Sequence, residues 1–286
     1  MFTKSKLFSI LLFFLCACTA QNTPNIPDPT LPPPKPGSGA PVVGVPVAEL
    51  PTPASTPLPT ADLPDGSAVQ QLLLFSHERW QSFWADAFIV YYAGDGSNQP
   101  VQTMRTQAWV NLPAQARLLN GSADGTPSSV WVSDGSHYRQ DDGVIQDLPS
   151  LSPFTPPSLP TDTIYPHPFG SLLGAPLSDM FFPTSLAQRG GEYTITAREI
   201  FANRETVVVT WTRFPAGEMI DRFWVDTQTG MILRWQNFGK PGGQAMTTEM
   251  YVTTILFDIQ FPDTSFYLGL PYPSGFAKDY HDLLIK

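Results

Sequence analysis

Cysteine is nearly missing from this chain: there are two, at positions 16 and 18, and none beyond. Everything after position 18 therefore has no disulfide, no thiol nucleophile and no zinc site built on cysteine. Charge is sparse as well, at 14% Asp, Glu, Lys and Arg, and its balance is acidic, with a formal net charge of −9. An acidic chain has no electrostatic reason to hold nucleic acid, so none is expected as a partner. The four histidines, His77, His137, His167 and His281, show no HxxxH, HxH or HExxH spacing, and each reads as a surface or capping residue. Asp-Gly pairs at 95–96, 124–125, 134–135 and 142–143 lack the alternating acids of a calcium loop and are what tight turns ask for. Glu192, Glu199 and Glu205 fall around one expected hairpin and read as solvated strand faces; a glycosidase needs two carboxylates facing each other across a groove. No Gly-x-Ser-x-Gly elbow, P-loop or GxGxxG occurs. The expectation is a protein that is not an enzyme, with no metal and no cofactor.

A long hydrophobic run is absent too. The apolar stretch at 7–15 covers about nine residues, too short to span a bilayer as a helix. Lys4 and Lys6 before it and small residues after it make a secretory signal. Its end, Leu15-Cys16-Ala17-Cys18, resembles a bacterial lipobox, which implies a signal peptide at 1–17 and lipidation of Cys18. Two or more acyl chains suffice for stable membrane attachment. Cleavage before Cys18 removes two lysines and no acid, so the net charge goes from −9 to −11. Residues 18–64 then read as a tether. Between 23 and 64 there are 14 prolines in 42 residues, and at about 3.1 Å per residue such a spacer reaches roughly 130 Å. The expected location is the bacterial cell envelope, lipid-anchored and extracytoplasmic.

What remains, 65–270, has the size of one domain. Ser67 and Gln70 form a capping-box pattern, and Val69, Leu72, Leu73, Ser76 and Trp80 follow at helical spacing, predicting one amphipathic helix over 67–80. Nearly everything after it reads as strand: 87–92, 101–112, 116–120, 129–133, 137–140, 143–146, 192–201, 205–213, 219–226, 231–238 and 245–261. Turn residues separate them at spacings that imply antiparallel neighbours in one meander rather than βαβ units. A second proline cluster, nine between 149 and 183, is too rich in Leu, Phe and Met to be a spacer. It predicts an apolar loop packed over something, with short helices near 169–173 and 177–182. Residues 271–286 stand apart as a C-terminal tail.

The stretch 221–235, DRFWVDTQTGMILRW, predicts a hairpin around Thr-Gln-Thr-Gly. Alternation puts Phe223 and Val225 on one side and Arg222, Trp224 and Asp226 on the other. Met231, Leu233 and Trp235 share a side opposite Ile232 and Arg234. With Val207, Val209 and Trp211 these apolar residues form one sheet face, which either fills a solid core or lines a cavity. Arg198, Arg213, Arg222 and Arg234 read as outward partners for Asp221, Asp226 and Glu199.

Three segments, AWVNLPAQARLL (108–119), VWVSDGSHYRQDD (130–142) and RFWVDTQTGMILRW (222–235), resemble the bacterial lipoprotein-carrier superfamily of the LolA and LolB carriers, the LppX and LprG lipoproteins and the RseB regulator. That resemblance implies a mainly β fold: a single curved antiparallel sheet, an incomplete β-barrel, with an N-terminal helix and an apolar, helical and Pro-rich lid. It implies that Val207, Val209, Trp211, Phe223, Val225, Met231, Leu233 and Trp235 line a pocket. The lid would be 67–80 and 169–182, acting through Leu72, Leu73, Phe169, Leu172 and Phe181. The expected ligand is a lipid or other hydrophobic small molecule, carried or stored. The alternatives are an RseB-like sensor acting on an envelope protein partner and a ligand-free scaffold.

Overall fold

The structure is a computed structural model, and it describes residues 61–174, 177–213, 218–239 and 245–282. The signal, Cys18 and nearly all of the tether lie outside the described residues.

Eleven strands form one antiparallel sheet that is curved and not closed. The first set is β1 (Ser82–Tyr92), β2 (Pro100–Asn111), β3 (Gln115–Ser122), β4 (Pro127–Asp134), β5 (His137–Gln140) and β6 (Gln146–Asp147). The second set is β7 (Glu192–Phe201), β8 (Arg204–Arg213), β9 (Glu218–Asp226), β10 (Ile232–Asn237) and β11 (Thr248–Phe257). The order across the sheet is β6-β5-β4-β3-β2-β1-β11-β10-β9-β8-β7. This corrects the single meander: two meanders meet where β1 pairs with β11, Phe83 opposite Phe257 and Tyr91 opposite Thr248. Turn spacing reports only neighbours in sequence, so this seam leaves no local signature.

The seam has a geometric consequence. β6 and β7 are consecutive in the chain yet lie at opposite edges of the sheet, so the connection 148–191 must cross from one edge to the other. It carries three short helices, α2 (Pro168–Leu172), α3 (Leu177–Phe181) and α4 (Thr184–Ala187). They share the covered face with α1 (Gly66–Leu74). The α1 helix is shorter than the expected 67–80. Its N-cap is Asp65, whose carboxylate accepts from the Ala68 amide at 2.9 Å, in place of a Ser67 box. After Leu74 the chain tightens into a 3-10 turn, Ser76–Glu78.

Alternation along the strands sorts two faces. Phe83, Ala85, Ala87 and Ile89 of β1 enter the large core under the helices, while Trp84 joins a smaller cluster with Trp109, Leu119 and Val130. That second cluster is closed from the C-terminal side by Phe266 and Ala277. The segment 271–282, set apart in sequence as a tail, thus packs on the sheet. Both ends of the Gln107 amide bond the Ala277 backbone, at 2.7 and 2.8 Å, and the Trp109 indole N–H donates to Tyr280 O at 3.1 Å.

Candidate functional site

The candidate site is the helix-covered face. β8 brings Val207, Val209 and Trp211; β9 brings Phe223 and Val225; Met231, Leu233 and Trp235 come from the turn and β10. All eight are buried in one cluster, none more than 8% exposed. From the covering side come Leu72, Leu73, Phe169 and Phe181, all buried, with Leu172 half-buried at the margin. Phe223 meets Trp235 edge-on at 5.7 Å, and Phe181 meets Phe83 at 4.8 Å. The expected residues are brought together, and the face they form is filled by the covering segment. A cleft of about 510 Å³ lies elsewhere, at the sheet end between Asn111, Gln115, Asp258 and Phe261.

One residue of the hairpin departs from simple alternation. Ile232 pairs with Val225 and Arg234 with Trp224, so Leu233 is an extra residue in a β-bulge. Both Ile232 and Leu233 are therefore buried in the same cluster, where alternation had placed Ile232 outside. The turn itself is fixed by Asp226, whose carboxylate accepts from Gln228 N at 3.0 Å and Thr229 N at 2.7 Å and is paired with Arg204. Gly230 closes it with φ +74°, and a Cβ there would stand 2.5 Å from the Leu72 carbonyl oxygen. Only glycine permits that approach, so the hairpin tip rests on α1.

The expected charge pairing needs correction. Asp221 and Asp226 are fully buried rather than outward. Asp221 accepts from the Trp235 indole and the Asn237 amide, each at 2.7 Å, and faces Arg189 at 3.5 Å. Burial pushes its carboxyl up from the ordinary range, against those hydrogen bonds and Arg189. Arg189 comes from the covering segment and lies about 6 Å from the ring centres of Trp211 and Trp235. Of the arginines singled out in sequence, Arg234 binds Glu249 at 2.7 Å and Arg198 donates to Leu63 O at 2.6 Å. Sequence reasoning missed Arg189 and Arg204. Arg189 lies outside any strand and Arg204 opens β8 one residue before the expected run, and each finds its acid through the fold. Among the described residues no group of three or more His, Cys, Asp or Glu could hold a metal ion.

The chain is thus an open, curved antiparallel sheet with one face closed by a mid-chain insertion. No family model matches it, and no curated protein does. Solved structures with a similar fold include MucB of Pseudomonas aeruginosa, in complex with MucA, at 15% identity and a TM-score of 0.44 over 71% of this chain. This chain spans 61% of that MucB chain. A LolA superfamily protein from Nitrosomonas europaea is similar at 11% identity and TM-score 0.27, covering 71% of this chain and 98% of its own. LprF from Mycobacterium bovis is similar at 9% and 0.36, covering 68% and 95%. The likeness is one of fold.

Proposed function

We propose that this chain is a lipoprotein held at the cell envelope by acyl chains on Cys18. Its curved sheet takes up a lipid or another hydrophobic molecule between the helix-covered face and the segment 148–191, for transfer or storage. The observation that carries this reading is the nature of the cover. Its helices are 5, 5 and 4 residues long, too short to be stable alone. The cover is held mainly by packing its apolar side chains on the sheet, a role that an acyl chain fills equally well. Each buried methylene is worth about 0.8 kcal/mol, so an alkyl chain offsets the loss of contacts when the cover shifts. Such a site needs dry apolar surface and a movable cover, and no catalytic group.

The test is native mass spectrometry and lipid extraction on the full chain, with displacement of a fluorescent fatty acid as a second readout. A stoichiometric lipid that competes with the probe, weakened at least tenfold by Leu172→Glu at the half-buried margin, supports the reading. An apo mass with no saturable probe uptake sinks it, and leaves an envelope protein that works through a protein partner or as a scaffold.

A further inference from the structure

His77 and His167 come from distant parts of the chain and meet in one aromatic cage. His77 lies on the 3-10 turn after α1, and His167 is the N-cap of α2 within the covering segment. Their ring centres are 4.9 Å apart. Phe154, also from the covering segment, packs edge-on to both, at 5.1 and 5.2 Å. Phe182, just after α3, stacks on His167 at 4.5 Å. The Nδ1 atom of His77 is buried with no hydrogen-bond partner. Nδ1 of His167 accepts from the Gly170 amide at 3.2 Å, which requires that nitrogen to carry no proton. This corrects the reading of the two as separate surface residues, though His167 does cap a helix. The cage fastens the covering segment to the end of α1.

We propose that this paired-histidine cage is a latch that proton uptake releases, freeing the segment around 153–172 from the sheet. Two adjacent imidazolium ions in an apolar cage repel each other and lose hydration, and a protonated Nδ1 on His167 gives up its bond to Gly170. The proposal rests on the hydrophobic-ligand reading above and names the regulation of that same site.

Two acids stand near the cage. Glu78 is the acid on the same turn, 3.9 Å from His77 Nε2 and exposed, so solvent screens it. α2 brings no charged residue. On α3, Asp179 shares a small cavity with His167. Burial pushes the Asp179 carboxyl up, so its proton uptake works in favour of closure. The histidines work the other way. Burial, and then the neighbouring His77, lower His167 from 6.5 to about 4, and burial lowers His77. Because the closed form disfavours the charged imidazole, closure is fully supported above 6.5 and lost as pH falls from 6.5 toward 4. For His167 alone, the open form gains roughly 30-fold at pH 5.

The deciding experiment is hydrogen exchange by mass spectrometry on the full chain at pH 7.5 and pH 5, corrected for intrinsic rates. The expected result is at least tenfold faster exchange over 153–172 at pH 5, with β1 and β8 unchanged. The double variant His77→Phe, His167→Phe keeps the segment protected at both pH values. Equal protection of the wild type at the two pH values, or acid opening that persists in the double variant, overturns the latch. If the double variant does not fold, titration of the two wild-type imidazoles by NMR decides: both below 6.5 sustains the proposal, and either at or above it overturns it. The fatty-acid probe, run on the same samples, separates this idea from the one beneath it. Acid-sensitive exchange with no uptake at either pH keeps the latch and sinks the ligand reading; uptake with acid-insensitive exchange does the reverse.

Discussion

The two faces of the sheet are covered with different balances of packing and hydrogen bonding. The helix-covered face is closed mainly by apolar packing from one mid-chain segment, with Phe169, Met180, Phe181 and Leu186 buried in the shared core, beside a few polar ties: Gln70 to Ala187 O at 2.6 Å, Tyr193 to Leu186 O, and Arg189 to Asp221. Over the first meander, the other face is closed by a segment sewn down with directed hydrogen bonds. Gln107 bonds Ala277 twice, Trp109 bonds Tyr280, and Arg139 donates to Leu270 O at 2.7 Å. Over the second meander that face bears a polar array and, among the described residues, no such flap. Glu249 accepts from Arg234, Gln236 and Tyr92, and the Arg234 guanidinium stands 4.5 Å from the ring centre of Trp224. Hydrogen bonds demand one geometry, whereas apolar contact tolerates many partners.

The largest expected effect tests the packed side. Phe181→Ala leaves a hole against Phe83 and costs about 3–5 kcal/mol in denaturant unfolding; a cost near zero means that the cover is not part of the core. The bonded side is next. Gln107→Leu strands the Ala277 N–H and C=O in a buried place and costs about 1–3 kcal/mol. In the Gln107→Leu variant, limited proteolysis is expected to release 271–282 while the segment 148–191 stays protected, and release of both together breaks the contrast between the faces. The smallest effect concerns the polar array. Burial pushes the Glu249 carboxyl up, but hydrogen bonds from Gln236, Arg234 and Tyr92 outweigh it and hold it below its ordinary range. The same contact, after burial, pushes Tyr92 up to about 12. A depressed carboxylate stabilises above its unfolded value, and that contribution disappears as pH falls. Glu249→Gln therefore lowers stability at pH 7 and narrows the further loss between pH 7 and pH 3.5, measured by urea unfolding at both.

Local structure was legible in the sequence where chemistry is local. The short helices expected near 169–173 and 177–182 occur as Pro168–Leu172 and Leu177–Phe181, and the strands at 192–201 and 205–213 are nearly as expected. The face residues of β8 and β9 were legible from alternation, and all eight residues meet in one cluster. Four things were not legible. The β1–β11 seam joins segments separated by almost the whole domain. The bulge at Leu233 shifts the register by one residue, with no marker beyond an apolar run. Burial of Asp221 depends on donors from Trp235 and Asn237 that only the hairpin aligns. The cage joins two histidines that share no motif with each other.

The seam at the centre of the sheet also sets a timetable. β1 finds β2 early, through a short turn, but its other edge waits for β11, the last of the described strands. Contacts of such long sequence separation slow folding, because a large loop must close before they form. Until β11 arrives, β1 is an open edge of Phe, Trp, Ile and Val at the future centre, the type of edge on which chains aggregate. A chain truncated before β11 is expected to do more than lose an outer strand. It leaves two half-sheets with no partner, and these require a chaperone's cover or end as aggregate.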